Sequence, residues 1–211
     1  MKRWQLFGAG ILGTLVGLAG WRFASRRRLL PCPHWLSVLL ENPYFNAVAS
    51  AETILDRLGV APGMKVVDVG CGPGRVTVPA ARRVGPTGSV TALDIQPEML
   101  RRLQEKVDAE GLSNVLPVQA GAGTGALETG AFDAALLVTV LGEIPDQKAA
   151  LREVFGALRP GGVLSVTEVL PDPHYQLRSH VRSLAIEAGF EEKRSFSDGV
   201  AYTLHFARPT R

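Results

Sequence analysis

The strongest constraint on the fold is an apolar strand that runs directly into a glycine-rich turn. The strand is predicted over residues 64–69, glycines occupy positions 70, 72 and 74, and a helix is predicted over residues 74–84. Glycine lets the backbone of such a turn approach a bound group closely, because no Cβ atom blocks the way. The N–H groups at the start of the following helix favour an anionic or polar ligand. This arrangement predicts a ligand-binding turn.

A second strand, predicted over residues 89–94, ends in an acid twenty residues after the last glycine of the turn. Asp94 is therefore placed to accept hydrogen bonds from the hydroxyls of a ribose. No Gly-Lys-Ser/Thr sequence follows the turn, so the chain lacks a Walker-type phosphate loop. The spacing Gly-x-Gly-x-Gly also differs from the Gly-x-Gly-x-x-Gly of dinucleotide-binding domains. The sequence predicts half of a nucleoside-binding site.

The motif Asp-x-Gly-Cys-Gly-x-Gly at residues 68–74, followed by Leu-Asp-Ile-Gln-Pro-Glu-Met-Leu at 93–100, resembles the class I S-adenosylmethionine-dependent methyltransferases. The resemblance covers about residues 50–207 and includes Arg-Pro-Gly-Gly at 159–162 and Ala-Gly-Phe at 188–190. Later motifs loosely resemble the ubiquinone/menaquinone-type branch of the family. The resemblance implies an α/β fold, with a Rossmann-like, mostly parallel seven-stranded sheet in the order 3-2-1-4-5-7-6 flanked by helices.

The hydrophobic pattern agrees with this fold, because predicted strands and helices alternate along the chain. Further strands are predicted at residues 114–119, 132–138, 162–169, 190–196 and 200–207. Further helices are predicted at residues 97–110, 146–158 and 176–188, and a helix over residues 44–58 precedes the first strand.

The resemblance implies S-adenosylmethionine as the cofactor. Asp68 and the turn glycines would surround its methionine part, Asp94 would bind the ribose and Ile95 would pack on the adenine. The predicted cofactor-binding residues are Tyr44, Asp68, Gly70, Cys71, Gly72, Gly74, Asp94, Ile95, Gly121, Ala122 and Thr139. After the third strand this chain has Ala-Gly-Ala at 120–122, where many relatives have Gly-Asp-Ala. Adenine recognition must then rest on backbone groups or on another side chain.

Candidate catalytic residues follow the fourth and fifth strands, because ligands bind at the carboxyl ends of strands in open α/β sheets. Glu143 is predicted to act near the methyl group, as a base or as the partner of a cationic amine. His174 is a candidate to deprotonate a hydroxyl or thiol, and Tyr175 follows it. A solvated loop carboxylate and a surface-turn histidine are the alternative interpretations. No cluster of His, Cys, Asp or Glu has metal-ligand spacing, so no metal is predicted.

The N-terminal segment carries no charge from Leu6 to Trp21. As a helix it would span about 24 Å, somewhat less than the roughly 30 Å hydrocarbon core of a bilayer. The prediction is a retained, single-pass membrane anchor in residues 1–25, contacting the membrane through residues 5–24; a signal or targeting peptide and an interfacial helix are the alternatives. The flanking arginines favour a catalytic domain on the cytoplasmic side. A small-residue stripe could pair two anchors into a homodimer, through Ala9, Gly13 and Gly17.

The basic charge of the chain is confined to its N-terminal segment. Residues 1–28 contain six basic and no acidic residues, whereas the remainder contains 17 basic and 20 acidic residues. The globular part is therefore mildly acidic, which argues against a nucleic-acid partner. The predicted organisation is an anchor at 1–25, a linker and membrane-proximal helix at 26–50, and a methyltransferase domain at 51–211.

The predicted function is a membrane-anchored methyltransferase for a lipophilic small molecule, such as a quinone or isoprenoid precursor or a phospholipid amine. A non-catalytic, membrane-tethered scaffold or sensor that binds S-adenosylmethionine is the alternative, and the missing aspartate after the third strand favours it. A nucleic-acid methyltransferase is a third option. It would carry an Asn/Asp-Pro-Pro-Tyr/Phe motif after the fourth strand, whereas Leu-Gly-Glu-Ile-Pro stands at 141–145.

Overall fold

The computed structural model describes residues 47–170 and 172–210. The strands in this part of the chain are β1 Lys65–Val69, β2 Ser89–Asp94, β3 Val115–Gln119, β4 Phe132–Val138, β5 Leu158–Val169, β6 Glu191–Ser197 and β7 Ala201–Ala207. The α-helices are α1 Ala51–Leu58, α2 Thr77–Val84, α3 Pro97–Ala109, α4 Gln147–Ala157 and α5 Arg178–Glu187, and a short 3₁₀ helix spans Leu141–Glu143.

The seven strands form a single sheet in the order β3-β2-β1-β4-β5-β7-β6, which confirms the predicted topology. The first five strands are parallel, whereas β7 runs antiparallel to both β5 and β6. Parallel order brings the carboxyl ends of β1, β2 and β4 to one edge of the sheet. The functional residues predicted after those strands are therefore neighbours in space.

The central strands are mostly apolar because helices cover both faces of the sheet. In β1, Val66 packs into a core formed with helices α1, α2 and α3, while Val67 and Val69 pack into a second core formed with α4 and α5. All three side chains are fully buried or nearly so. The position of each residue in β1 thus decides which helical layer it contacts.

Some boundaries differ from the sequence prediction. The helix predicted over 44–58 is interrupted: residues 47–48 are helical, residues 49–50 are not, and a second helix begins at Ala51. The Ser50 side chain accepts a hydrogen bond from the backbone N–H of Thr53 and caps this second helix. The helix after the glycine turn starts at Thr77, since residues 71–76 form the turn itself. Strand β5 starts at Leu158, four residues before its predicted start.

The predicted membrane anchor at 1–25, its membrane-contacting residues 5–24 and the stripe of Ala9, Gly13 and Gly17 lie outside the described residues. So do Tyr44 and most of the predicted linker at 26–50. Among the described residues, no helix combines the length and the apolar character that a membrane span needs.

His205, in β7, lies buried against the edge of the Phe196 ring. Burial, reinforced by the positive charges of Arg194 and Arg57, lowers the pKa of His205 from 6.5 to about 4. Between these values the unfolded chain binds a proton that the folded chain does not, so the free energy of unfolding falls as the pH drops through this window. Chemical denaturation at pH 7 and at pH 4 is expected to show a loss of at most about 3 kcal/mol from this residue.

Other buried groups also titrate in this range, so the comparison is made between variants. His205→Asn should show a smaller loss of stability between pH 7 and pH 4 than the wild type. The exposed His180, replaced in a His180→Asn control, should leave the loss unchanged. Equal pH dependence in all three proteins would contradict the assignment to His205.

Candidate active site

The glycine turn after β1 is held against the end of β2 by two backbone hydrogen bonds. Gly70 and Cys71 both donate their N–H groups to the carbonyl oxygen of Leu93. Gly70 has a φ of 69°, and a Cβ atom there would collide with the side chain of Val140, which follows β4. Gly72 has a φ of 52°, and a Cβ atom there would meet nothing within 4 Å. The turn is therefore packed closely at Gly70 and open at Gly72.

Asp68 lies beneath this turn and is 2% exposed. Its carboxylate accepts a 2.6 Å hydrogen bond from the hydroxyl of Thr77, the first residue of α2. Burial raises the pKa of Asp68 to about 6, although the Thr77 hydrogen bond and the nearby charge of Arg75 oppose this rise. The side chain fixes α2 relative to β1, and it places an acidic group at the base of the site.

Asp94, the last residue of β2, joins the two halves of the predicted nucleoside site. Its carboxylate accepts hydrogen bonds from the backbone N–H of Gly72 and from that of Gln96, each 2.9 Å long. Burial raises the pKa of Asp94, while these two hydrogen bonds lower it. Each carboxylate oxygen has a further lone pair to offer a ligand. The acid and the glycine turn thus meet as the sequence predicts.

A cavity opens at the carboxyl ends of β1, β2 and β4. Of the residues predicted to bind the cofactor or to act in catalysis, those that line it are Asp68, Gly70, Cys71, Gly72, Asp94, Ile95, Gly121, Ala122, Thr139 and Glu143. Gly74 is absent from the lining of the cavity. Its backbone instead packs against Leu103 of α3, and a Cβ atom there would collide with that side chain. Burial raises the pKa of the Cys71 thiol, which therefore stays protonated.

Several residues of the lining were not predicted from the sequence. They are Val69, Pro73, Arg75, Val76, Leu93, Gln96, Met99, Ala120, Val138, Val140, Ile144 and Pro145. Gln96 and Val140 lie within two residues of a strand end, and this position is the signal that could have identified them. Met99 is buried on α3 and reaches the cavity only through the packing of that helix.

The loop after β3 shapes the cavity mainly through its backbone. Ala120 donates its N–H to the carbonyl oxygen of Asp94, and Thr124 donates its hydroxyl to the carbonyl oxygen of Gly121. Glu153, on α4, accepts hydrogen bonds from the N–H groups of Gly123 and Leu127. A carboxylate that the sequence analysis did not identify therefore anchors the loop that contributes Gly121 and Ala122.

Replacing Glu153 by Gln is expected to raise the dissociation constant for S-adenosylhomocysteine about 5- to 10-fold. An amide has only one acceptor oxygen, so one of the two backbone N–H groups loses its partner and the loop is released. Calorimetric titration measures the affinity, and hydrogen exchange over residues 121–127 measures the loop. The matched control is Glu187→Gln, which removes an exposed ion pair with Lys148 and should leave both readouts unchanged. Unchanged exchange in Glu153→Gln would contradict the anchoring role.

Thr139, directly after β4, has a φ of 54° and is the only non-glycine residue with a positive φ in the described part of the chain. This conformation is unfavourable for a β-branched residue and persists only where the surroundings enforce it. The N–H of Thr139 donates a 2.8 Å hydrogen bond to the carbonyl oxygen of Thr167 in β5. The strained backbone of Thr139 is therefore part of the cavity wall.

The three predicted catalytic residues divide between two depressions. Glu143 lines the cavity just described. His174 and Tyr175 line an adjacent groove, formed with Gly142, Gln147 and His180, and they are not part of the cavity wall. The His174 side chain is 3% exposed, and its Nδ1 lies 3.6 Å from Oε1 of Glu143. Among the three, Glu143 is therefore the residue placed to contact a ligand in the cavity.

Tyr175 packs edge-on against Tyr202, with 5.7 Å between the ring centroids. Glu168, near the end of β5, is 1% exposed, and its Oε2 accepts a 3.2 Å hydrogen bond from the N–H of Gln176. Burial raises the pKa of Glu168 well above its ordinary value of 4.5, and the charges of Asp172 and Glu143 add to this rise. Among residues 47–170 and 172–210, no group of three or more His, Cys, Asp or Glu side chains is arranged to hold a metal ion.

Comparison with known proteins agrees with the resemblance to methyltransferases found in the sequence. A methyltransferase domain family matches residues 66–162. Nocamycin O-methyltransferase from Saccharothrix syringae is 36% identical over 124 residues, which are 58% of this chain and 44% of that protein. The ubiquinone/menaquinone biosynthesis C-methyltransferase of Shewanella halifaxensis is 35% identical over 125 residues, 59% of this chain and 50% of that protein. The chain spans about half the length of these curated relatives.

Solved structures share the fold. An S-adenosylmethionine-dependent methyltransferase from Aquifex aeolicus superposes with a TM-score of 0.74 at 24% identity, over 80% of this chain and 94% of that one. A [4+2]-cyclase superposes with a TM-score of 0.70 at 19% identity, over 76% of this chain and 80% of that one. The fold is Rossmann-like, and its cavity has the features of a nucleoside-binding site. The domain match over residues 66–162 and the relatives named above make the chain similar to the class I S-adenosylmethionine-dependent methyltransferases.

The cavity fits the cofactor of this family. Asp94 retains lone pairs for ribose hydroxyls while it holds the glycine turn. Ile95 is 50% exposed and offers an apolar surface to a flat base. Asp68, Asp94 and Glu143 provide acidic groups for a positively charged ligand, and Arg75 is the only basic residue among the lining residues. Open space at Gly72 leaves room for close approach to the backbone.

Proposed function

We propose that this protein is a membrane-anchored S-adenosylmethionine-dependent methyltransferase acting on a lipophilic small molecule. The observation that carries the proposal is the cavity in which the glycine turn, the Asp94 carboxylate and Glu143 meet. When bound, the cofactor supplies a methyl group on a sulfonium centre, and the protein supplies alignment and a proton acceptor. The fold by itself would not determine the reaction, because the same fold occurs in a [4+2]-cyclase.

In this proposal the residues of the cavity divide by chemistry. Asp68, Gly70 and Gly72 contact the methionine part of the cofactor, Asp94 accepts hydrogen bonds from the ribose, and Ile95 packs on the adenine. The backbone at Gly121 and Ala122 completes the adenine site. Cys71 and Thr139 contribute the remaining wall of the cofactor site.

Glu143 is the proposed partner of the acceptor. Its carboxylate either receives the proton that an O–H, S–H or C–H acceptor loses, or pairs with a cationic amine. An exposed loop carboxylate would not line the cavity, so the position of Glu143 favours a functional role over a solvated one. His174 and Tyr175 support this residue from the adjacent groove.

The acceptor class rests on two observations. Curated relatives include enzymes of ubiquinone/menaquinone biosynthesis and a demethylmenaquinone methyltransferase from Geobacillus stearothermophilus. The uncharged N-terminal segment from Leu6 to Trp21 would tether the domain at the bilayer, with the catalytic domain on the cytoplasmic side. Tethering would raise the local concentration of an acceptor dissolved in the membrane. We therefore propose a quinone or isoprenoid precursor or a phospholipid amine as the acceptor.

The full-length protein should transfer label from methyl-labelled S-adenosylmethionine to a component of a membrane lipid extract, identified by mass spectrometry. Glu143→Gln should reduce transfer about 100-fold or more if the carboxylate is the proton acceptor. A control reaction without the lipid extract should contain no labelled product. Binding of the cofactor without transfer to any component would contradict catalysis, and would favour the non-catalytic scaffold or sensor.

The tether is tested in the full chain. Leu12→Arg combined with Leu15→Arg should release the protein from the membrane fraction, because each charge at the centre of a membrane helix costs about 2.5–3.5 kcal/mol. Gln5→Arg, at the end of the segment, is the matched control and should stay membrane-bound. Retention of the double variant after carbonate extraction would contradict a spanning anchor.

A further inference from the structure

Two loops at the edge of the cavity touch each other through their backbones. Gly142, in the 3₁₀ helix after β4, lies directly against His174, which follows β5. A Cβ atom at Gly142 would collide with the carbonyl oxygen of His174. Only glycine therefore allows this contact, and the contact brings the neighbouring residue Glu143 beside the His174 ring.

The backbone of His174 is held in place by its own segment. The backbone N–H of His174 donates a 2.7 Å hydrogen bond to Oδ1 of Asp172, and the carbonyl oxygen of His174 accepts a 2.6 Å hydrogen bond from Nε2 of Gln176. With 3% of the side chain exposed and the ring outside the cavity wall, His174 does not contact a ligand in the cavity directly. Its effect on such a ligand must pass through another residue.

His174 can affect a ligand in the cavity through Glu143. One side of Glu143 faces the cavity, and its Oε1 lies 3.6 Å from Nδ1 of His174 on the other side. This distance is longer than a hydrogen bond, and such contacts tighten when a ligand binds. Glu168, the buried carboxyl at the end of β5, does not line the cavity, whereas Glu143 does.

We propose that His174 is a positioning residue that holds the Glu143 carboxylate at the cavity wall, where the carboxylate pairs with a positive charge at the methyl-donor position of the bound ligand. This inference rests on the proposed function, because it requires the cavity to bind the cofactor. It assigns His174 an indirect role, in place of direct deprotonation of the acceptor. It also explains why a glycine stands at position 142.

The test compares two probes that differ in charge at one position. S-adenosylhomocysteine is neutral there, whereas sinefungin carries an ammonium group in place of the methylsulfonium. Glu143→Gln should weaken sinefungin about 10-fold or more, and S-adenosylhomocysteine less than about 3-fold. His174→Leu, whose side chain has no N–H group, should weaken sinefungin selectively about 5-fold. His174→Asn, whose amide N–H₂ group occupies the position of Nδ1 and can donate to Glu143, should restore most of the affinity.

The double variant Glu143→Gln/His174→Leu should bind sinefungin no more weakly than Glu143→Gln alone, since both changes remove the same interaction. Gly142→Ala tests the coupling without altering either side chain and should reproduce the effect of His174→Leu. Its control is Gly156→Ala on α4, where an added Cβ atom meets nothing within 4 Å. This control should bind both probes like the wild type.

The outcomes separate this inference from the proposed function. If the wild type binds neither probe, the proposed function fails. If the wild type binds both, but His174→Leu weakens them equally or adds its effect to that of Glu143→Gln, the positioning role is wrong. Equal weakening together with a lower melting temperature would show that His174 only supports the local fold. Selective and non-additive loss of sinefungin binding that His174→Asn restores would establish the coupling.

Discussion

Replacing Asp94 by Asn is expected to raise the dissociation constant for S-adenosylmethionine on the order of 100-fold, measured by calorimetric titration. Two effects combine in this variant. The ribose loses charge-assisted hydrogen bonds, each of which contributes about 1.5–3 kcal/mol. In the native protein the carboxylate accepts hydrogen bonds from the backbone N–H groups of Gly72 and Gln96. In the variant, the amide N–H₂ group faces one of these N–H groups, and two donors cannot form a hydrogen bond. The cofactor site is therefore weakened both directly and through its glycine turn.

Asp133 provides the matched control because it makes comparable contacts away from the cavity. It accepts a 2.6 Å hydrogen bond from the N–H of Lys65 and pairs with Arg159, near the amino end of β4. Asp133→Asn should lower the melting temperature without changing the affinity for the cofactor. If Asp94→Asn and the wild type bind with equal affinity, Asp94 does not bind the ribose.

Replacing Gly70 by Ala is expected to destabilise the protein by about 3 kcal/mol or more and to abolish measurable cofactor binding. The added Cβ atom would overlap the side chain of Val140, and the alanine backbone would also have to adopt a φ of 69°. Overpacking of this kind costs about 1–3 kcal/mol, and the left-handed conformation adds about 1–2 kcal/mol. Moving Val140 aside would displace the loop after β4, and this loop places Thr139 and Glu143 in the cavity wall.

Gly59 separates the two contributions. It lies in the left-handed region with a φ of 75°, but a Cβ atom there would meet nothing within 4 Å. Gly59→Ala should therefore cost only about 1–2 kcal/mol in chemical denaturation and leave cofactor binding intact. Adding Val140→Ala to Gly70→Ala should recover part of the lost stability. Equal losses in the Gly70 and Gly59 variants would show that backbone strain, rather than the contact with Val140, makes glycine necessary at position 70.

Much of the fold followed from the local pattern of the chain. Each of the seven predicted strands is present within a few residues. The central strands are largely apolar runs that the sequence displays directly, whereas β6 is a charged and exposed edge strand whose start was predicted from the family resemblance of the Ala-Gly-Phe motif before it. The boundaries that differed depended on contacts less visible in the pattern. Ser50 caps α1 with its side chain, and β5 extends back to Leu158, which pairs with Phe132 of β4.

The site was only partly predictable, for a similar reason. Asp94 and the turn glycines are close in sequence to the strand ends that position them, so their meeting could be inferred from the motif. Glu153 anchors the loop after β3 from a helix thirty residues away from Gly123, and nothing in the local sequence indicates this contact. Met99 likewise reaches the cavity only because α3 packs against β2 and β3.

The sequence by itself determined the glycine turn, the acid after the second strand and hence the class of ligand, because these features are encoded within about thirty consecutive residues. It also determined the order of the strands, through the resemblance of its motifs to a known family. Only the tertiary structure decided the relation between Glu143 and His174. They are separated by the whole of α4 and β5, and the close backbone contact at Gly142 brings them together. The contact depends on packing between two loops, which no local pattern specifies.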